Sequence, residues 1–358
     1  MASETLRVAV VGLGFGARVQ LPVFTDHPGT TVVSVCSRTL EHARAAATHF
    51  AIPHYTDDYR KSIALPDVDL VSVVTPPHLH APIALAALRA RKHVLCEKPF
   101  AKSAGEAQRM AKAAKRAKRT GMLDHEFRYI PVRQRAKSLV DDGWLGQLER
   151  IVVVEATTWM HPSSTLRFGW QSKATDGGGV LGALGSHYID YCRWLAGDVK
   201  EVSATLQTRV SKRTLPSGGA ARADADDNFA LRMTMTSGAL ATIDLTATAN
   251  APFQSIFVSG TKGALIIRDD SEIVGLRAGH EPVPVTAPAH YPRRLAGGPR
   301  LIGPFYTLVN EMLAHLAGKP STVPTFDDGL RVQEVLDAAR RSAKTGRTVA
   351  LRAPRRRR

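Results

Sequence analysis

The sequence predicts an α/β protein: an N-terminal doubly wound parallel sheet, followed by an α+β domain on an open, mainly antiparallel sheet. Three observations carry this prediction. Short apolar runs alternate with helical stretches over residues 1–123, which implies parallel strands covered on both faces. A glycine-rich turn follows the first apolar run. Beyond residue 123 come longer segments in which every second residue is apolar, the mark of strands with one buried face.

The elements follow in order. Residues 6–11 form a buried strand, then the glycine turn, then a helix from about Phe15. Strands at 32–36, 69–74 and 93–96 alternate with helices at 39–50 and 78–90. In the second part, 148–157 reads as a strand and 185–195 as a helix. Phe229, Leu231, Met233 and Met235 share one face, and Ala241, Ile243, Leu245 and Ala247 share another. Ser237-Gly238 marks the turn between them, which predicts an antiparallel hairpin. More strand is expected at 256–259 and 264–268, a long Pro- and Gly-rich loop at 279–303, and helices at 305–317 and 327–345. The expected domains are 1–123, 124–350 and a basic tail, 351–358.

Composition narrows the function. With 44% hydrophobic and 22% charged residues, the 358-residue chain is ordinary for a globular protein. It has no apolar run long enough for a membrane span, and no charged-then-apolar leader pattern at the N-terminus. Three widely separated cysteines, Cys36, Cys96 and Cys192, argue against a disulfide framework and against a cysteine metal site. A cytoplasmic enzyme without a metal is expected. The net charge of +16 raises a nucleic-acid partner. Part of that charge lies in the tail, Arg355–Arg358, and part on a helix face formed by Lys112, Lys115, Arg116 and Arg119. Such runs read as solvated surface, and no aromatics are interleaved to stack bases. No nucleic-acid partner is expected; an anionic cofactor or substrate accounts for some of the charge.

Gly12-Leu13-Gly14-Phe15-Gly16-Ala17 joins a strand to a helix. The first glycine permits the turn, the second lets backbone approach a pyrophosphate, and a small residue at 17 lets the helix pack on the strand. After the second strand comes Ser37-Arg38, where NAD-binding chains place an acid. A serine donor and an arginine suit a 2′-phosphate, so NADP is preferred over NAD.

Two further motifs end strands: Thr75-Pro76-Pro77-His78-Leu79-His80 and Glu97-Lys98-Pro99. With the glycine turn, His125-Glu126-Phe127-Arg128, the glycine run from Gly177 to His187, and Gly260-Thr261-Lys262-Gly263, they cover nearly the whole chain. Together they resemble the glucose–fructose oxidoreductase / inositol dehydrogenase / MocA (Gfo/Idh/MocA) family. The resemblance implies a Rossmann domain with a substrate domain behind it, and hydride transfer between NADP(H) or NAD(H) and a hydroxyl or ketone of a sugar, cyclitol or related polyol. It implies Lys98 and His187 as catalytic residues. Lys98 would steady a developing alkoxide and His187 would exchange the proton. Glu97 would touch the nicotinamide ribose, and the Lys98–Pro99 bond would be cis. Cofactor contacts would come from Gly12, Gly14, Phe15, Gly16, Ser37, Arg38, Thr75, Pro76, His80, Glu97, Lys98 and Arg128. Trp159, His161, Trp170, Lys173 and Asp190 are expected to line the substrate pocket. A homodimer or homotetramer is expected.

One departure stands out. Many members carry Asp one helical turn before the histidine, where this chain has Ala183. Asp190 and Asp176 are the alternative orienting carboxylates. The resemblance also implies a second enzymatic reading, glycoside cleavage through transient oxidation with bound cofactor, and Ala183 keeps a third open, a non-catalytic NADP(H) sensor.

Overall fold

The computed structural model describes residues 5–295 and 298–351; the expected basic tail beyond Leu351 lies outside them. The chain divides into two compact units, Met1–Tyr129 with Ala289–Leu330, and Ile130–Pro288 with Arg331–Arg358.

The first unit holds six parallel strands: β1 (Leu6–Val11), β2 (Thr30–Cys36), β3 (His54–Thr56), β4 (Leu70–Val73), β5 (His93–Cys96) and β6 (Gly121–Leu123). Their order is β3-β2-β1-β4-β5-β6, with the switch in direction of winding between β1 and β4. Alternate side chains point to opposite faces. Ala9, Val11, Val71 and Val73 pack with Ile83, Leu88 and Met110 on one side. Val8, Val10, Leu70 and Leu95 pack with Leu21 and Phe24 on the other. The connecting helices are α1 (Leu21–Asp26), α2 (Leu40–His49), α3 (Tyr59–Ala64), α4 (His80–Arg89) and α5 (Ala104–Ala117). Local chemistry sets their starts: Asp58 accepts from Arg60 N at 2.9 Å, and Ser103 Oγ from Glu106 N at 3.3 Å.

The boundary expected at 123 differs from the one observed. Residues after α6 (Pro131–Asp141) and α7 (Ser186–Ala196) return to the first unit as α8 (Ile302–Leu316). Phe305, Leu308, Val309 and Met312 complete the layer around Val8 and Phe24. The Phe24 and Phe305 rings meet edge to face at 5.3 Å. The apolar face of the sheet needs this cover, so 289–330 belongs with the N-terminal strands. The division falls inside α9 (Phe326–Thr345), between Leu330 and Arg331.

The second unit is built on β7 (Leu148–Ala156), β8 (Val199–Gln207), the small β9 (Lys212–Thr214) and β10 (Ala220–Arg222) pair, β11 (Asn228–Met235), β12 (Leu240–Thr246), β13 (Phe253–Gly260), β14 (Ala264–Arg268), β15 (Glu272–Leu276), β16 (Val283–Pro284) and β17 (Val349–Ala350). Nine of these form one sheet, β16-β15-β14-β13-β7-β12-β11-β8-β17. The hairpin expected around Ser237-Gly238 is present, with Leu231 opposite Ile243 and Met233 opposite Ala241. The β7–β12 pair is parallel and the other pairs of the sheet are antiparallel. Ile151, Val153, Ile256 and Val258 are fully buried, whereas Val154 and Phe253 on strands of the same sheet are 38% and 54% exposed. The stretch expected as a bare loop carries β16 and a short 3₁₀ turn, Arg293–Leu295.

A buried ion pair locks α6 and α7 to the β14–β15 turn. Arg133 and Asp270 side chains are 0% and 2% exposed. Arg133 donates through Nε and Nη2 to the two Asp270 oxygens at 2.7 and 3.0 Å, and its guanidinium lies over the Tyr188 and Tyr191 rings. Burial works against this charge, but the Asp270 carboxylate outweighs it and holds the Arg133 pKa above the ordinary value.

Candidate active site

Loops leaving the carboxyl ends of β1, β4, β5 and β6 carry most of the expected cofactor residues, at the sheet edge where ligands of such folds bind. Gly12 takes φ +110°, and a Cβ there would lie 2.3 Å from Val74 O. Only glycine lets the two loops approach this closely. At Gly14 a Cβ would meet nothing within 4 Å, so the backbone faces open space. Gly16, rather than Ala17, makes the close approach between helix and strand: its Cβ would lie 3.3 Å from Val10 Cγ1. Phe15 is half-buried against the same apolar layer. Thr75 Oγ1, just past β4, is buried with no hydrogen-bond partner among the described residues, and Pro76 beside it is half-buried. An open glycine backbone and an unspent hydroxyl next to Gly12 fit a dinucleotide phosphate.

At the end of β2, Ser37 is half-buried and Arg38 exposed. The strand itself ends without an acid. However, Asp57 and Asp58 lie near enough to add to a rise in the Cys36 pKa that burial mainly causes, to about 12. Cys36, Cys96 and Cys192 are all free and buried.

His80 lies deep behind the same loops. It is 0% exposed, and both ring nitrogens face main-chain carbonyls: Nε2 at 2.7 Å from Thr75 O, Nδ1 at 3.1 Å from Pro99 O. Burial drives its pKa down to about 4. The neutral ring has one N–H, so only one of the two nitrogens donates to its carbonyl. His80 thus sits between the Thr75 loop and the Lys98 loop, with both ring nitrogens turned toward main chain.

Glu97 is also turned inward. It is 6% exposed; Oε1 accepts from Gln20 Nε2 at 3.0 Å and Oε2 from Lys98 N at 3.2 Å. Arg128 is 6% exposed and spends Nη1 on Thr322 O at 3.2 Å, with Asp328 at 3.9 Å. Lys98 itself is half-buried at the end of β5, and its bond to Pro99 is cis.

In the second unit, His187 lies one residue into α7 and is 1% exposed. Asp190, three residues on, is fully buried in the same helix. Asp176 pairs with Lys173 Nζ at 3.8 Å, and Ala183 offers no titratable group. Trp159 and His161 line a cleft of about 770 Å³ together with Thr158, Ser163, Arg167 and Asn250. Trp170 and Lys173 fall in the next turns and are not among the residues lining it.

Several residues carry more than the motifs disclosed. Asp226 is half-buried, accepts from Leu181 N at 2.7 Å, and fills the space a Cβ of Gly179 would need. It thereby fixes the glycine run that leads into α7. Burial raises its pKa to about 6, against the pull of the Leu181 N–H. Gln20, Asp124 and Glu126 surround Glu97 in the first unit. The only hint of them in sequence is that polar residues interrupt apolar stretches.

Two family models match this chain. Residues 6–125 fit the oxidoreductase family with an NAD-binding Rossmann fold, and 133–266 fit the Gfo/Idh/MocA C-terminal domain. The chain belongs to the Gfo/Idh/MocA oxidoreductase family. Among its relatives is a levoglucosan dehydrogenase of Pseudarthrobacter phenanthrenivorans, 30% identical over 95% of this chain and 96% of that protein. An uncharacterised oxidoreductase of Synechocystis is 28% identical over 98% and 97%. A solved levoglucosan dehydrogenase in complex with NADH and levoglucosan superposes with a TM-score of 0.87 at 25% identity, over 98% of this chain and all of that one. This member is thus a nicotinamide-dependent oxidoreductase. Among the described residues no helix is long and apolar enough to cross a membrane.

Proposed function

We propose that the enzyme moves a hydride reversibly between NADP(H), or NAD(H), and a CH–OH carbon of a sugar, cyclitol or related polyol. The half-buried Lys98, at the end of β5 on the edge that carries the open glycine turn, is the observation that carries this reading. When bound, the nicotinamide supplies the hydride acceptor or donor. Lys98 donates a hydrogen bond to the substrate oxygen and stabilises its developing charge. His187 exchanges the hydroxyl proton. Gly12 and Gly14 keep the phosphate side open, and Thr75 offers its hydroxyl. The cleft beside Trp159 and His161 mixes ring faces with donors, as recognition of a polyhydroxy compound requires. Relatives named as levoglucosan dehydrogenase, one in complex with NADH and L-sorbose, support the same substrate class. The NADP preference rests on Ser37-Arg38. A cytoplasmic homodimer or homotetramer completes the reading, with the exposed face of Val154 and Phe253 as contact surface.

The test is a sugar and polyol screen followed at the nicotinamide absorbance, with Lys98→Met beside the parent. The variant should lose about 10²–10³-fold in kcat and keep its cofactor Kd in isothermal titration. Full activity in Lys98→Met would overturn the assignment.

A further inference from the structure

One buried amide ties four distant stretches of the first unit together, and hydride transfer, as written above, gives it no part. Gln20 is 0% exposed and closes the helical turn Gly16–Gln20 that follows the glycine turn. Its side chain meets the middle of β4, the end of β5 and the residue just past β6. Ser72, fully buried in β4, donates through Oγ to Gln20 Oε1 at 2.6 Å. Gln20 Nε2 donates to Asp124 Oδ2 at 2.8 Å and to Glu97 Oε1 at 3.0 Å. An amide nitrogen carries two hydrogens, so both are spent. Turned over, the amide would set its oxygen against two carboxyl groups and deprive each of a donor. Glu97 is where this network reaches the expected reacting side. Its two oxygens serve different partners: Oε1 takes the Gln20 N–H, and Oε2 accepts from the main-chain N of Lys98 at 3.2 Å.

We propose that Gln20 is a positioning residue for Lys98: by holding Glu97 Oε1, its amide keeps the Glu97 carboxyl on the Lys98 N–H and so sets the direction in which the Lys98 side chain leaves β5. This rests on the function proposed above. Lys98 remains the donor to the substrate oxygen and His187 the group that exchanges the proton. Gln20, at 0% exposure, meets neither substrate nor cofactor and acts through Glu97. Without the amide, a carboxyl oxygen on a residue only 6% exposed loses its donor and swings to find another. The turn that carries Lys98 then moves with it. Precision is what such a brace supplies, because an error of about 1 Å in a reacting group costs about 10²-fold in rate. Ser72 supports Gln20 in turn, since its hydroxyl occupies the amide oxygen and leaves both N–H groups for the carboxyls. The same amide sits at the end of the turn that begins beside the glycine backbone, so one side chain links the phosphate side of the site to the lysine side.

The test reads the Lys98 main-chain amide and turnover in the full-length protein. Isotope-labelled lysine gives one backbone amide signal per lysine in the magnetic resonance spectrum, and Lys98→Arg identifies the Lys98 signal by its loss. In the parent this signal should lie downfield and exchange slowly with deuterated water, as an N–H donating to a buried carboxyl does. Gln20→Met keeps length and packing but removes both N–H groups. It should shift the Lys98 signal, speed its exchange and leave the other lysine signals in place. In the sugar and polyol screen it should lower kcat by about 10²-fold with little change in KM. Ser72→Ala should act in the same direction by less, and should lower kcat no further in the Gln20→Met background. A folded Gln20→Met protein with the parental Lys98 signal, or with the parental kcat, would overturn the assignment. If Gln20→Met does not fold, Ser72→Ala decides by the same two readings. Failure of every polyol to react would sink the proposed function instead, and the Lys98 signal would still decide whether Gln20 holds that turn.

Discussion

Gly12 and Gly14 stand two residues apart in one turn, yet alanine should have opposite consequences at the two. At Gly12 the methyl group would sit 2.3 Å from Val74 O and 2.9 Å from Thr75 N, on a backbone at φ +110°. The left-handed conformation costs an L-residue about 1–3 kcal/mol, and forcing the β1 and β4 loops apart adds about 1–3 kcal/mol. The sum is about 4 kcal/mol, or a fall in Tm of about 8–16 °C for a unit of this size. At Gly14 the methyl group meets nothing within 4 Å. There Gly14→Ala should hold or slightly raise Tm, by about 0.4–1 kcal/mol of chain entropy, while the methyl group occupies the space a pyrophosphate needs. Differential scanning calorimetry and isothermal titration with NADP, run on both variants, separate the two effects. A Gly14→Ala protein that melts as low as Gly12→Ala, or that binds NADP as tightly as the parent, would refute the division of labour.

Other perturbations follow from the same geometry. Asp270→Ala should destabilise the second unit by about 3–5 kcal/mol, because it strands the Arg133 charge in the interior; urea denaturation measures it, and Arg133→Met combined with Asp270→Leu should recover most of the loss. Asp226 has its folded pKa raised from 3.8 to about 6, so the native state holds a proton that the unfolded chain releases in that window. Stability falls as pH rises from about 4 to about 6, by about 3 kcal/mol in all. Asp226→Asn keeps an acceptor for Leu181 N and should abolish that slope in denaturation curves taken at pH 4 and pH 7. Arg38→Glu should weaken NADP binding by about 10–100-fold and spare NAD, since it removes the 2′-phosphate partner and adds a repelling charge; titration with both cofactors reads the ratio directly.

What was legible in the sequence is what only one residue type can do. Gly12 announces itself because no other residue fits its φ, and the β11–β12 hairpin because period-two alternation breaks at Ser237-Gly238. Side-chain direction was not legible. A histidine after Thr75-Pro76-Pro77 reads the same whether its ring faces a cofactor or, as with His80, two carbonyls. Nor does the sequence record that Glu97 meets Gln20 and Arg128 meets Thr322. Contacts between distant stretches were hidden too: Gln20 meets Asp124 across 104 positions, and no local pattern records that. Strands as short as β3 and β6, three residues each, leave no periodicity to detect.

The return of α8 to the first sheet bears on how this polypeptide comes into being on the ribosome. The six parallel strands are synthesised first, but the cover of one of their apolar faces stays incomplete until residues 302–316 emerge. A fragment cut after the β6 loop would keep the cover of Leu21 and Phe24 but lose that of Phe305, Leu308, Val309 and Met312, leaving the layer around Val8 and Phe24 partly open to aggregation and protease attack. Completion of this layer therefore waits on a segment made about 180 residues after β6.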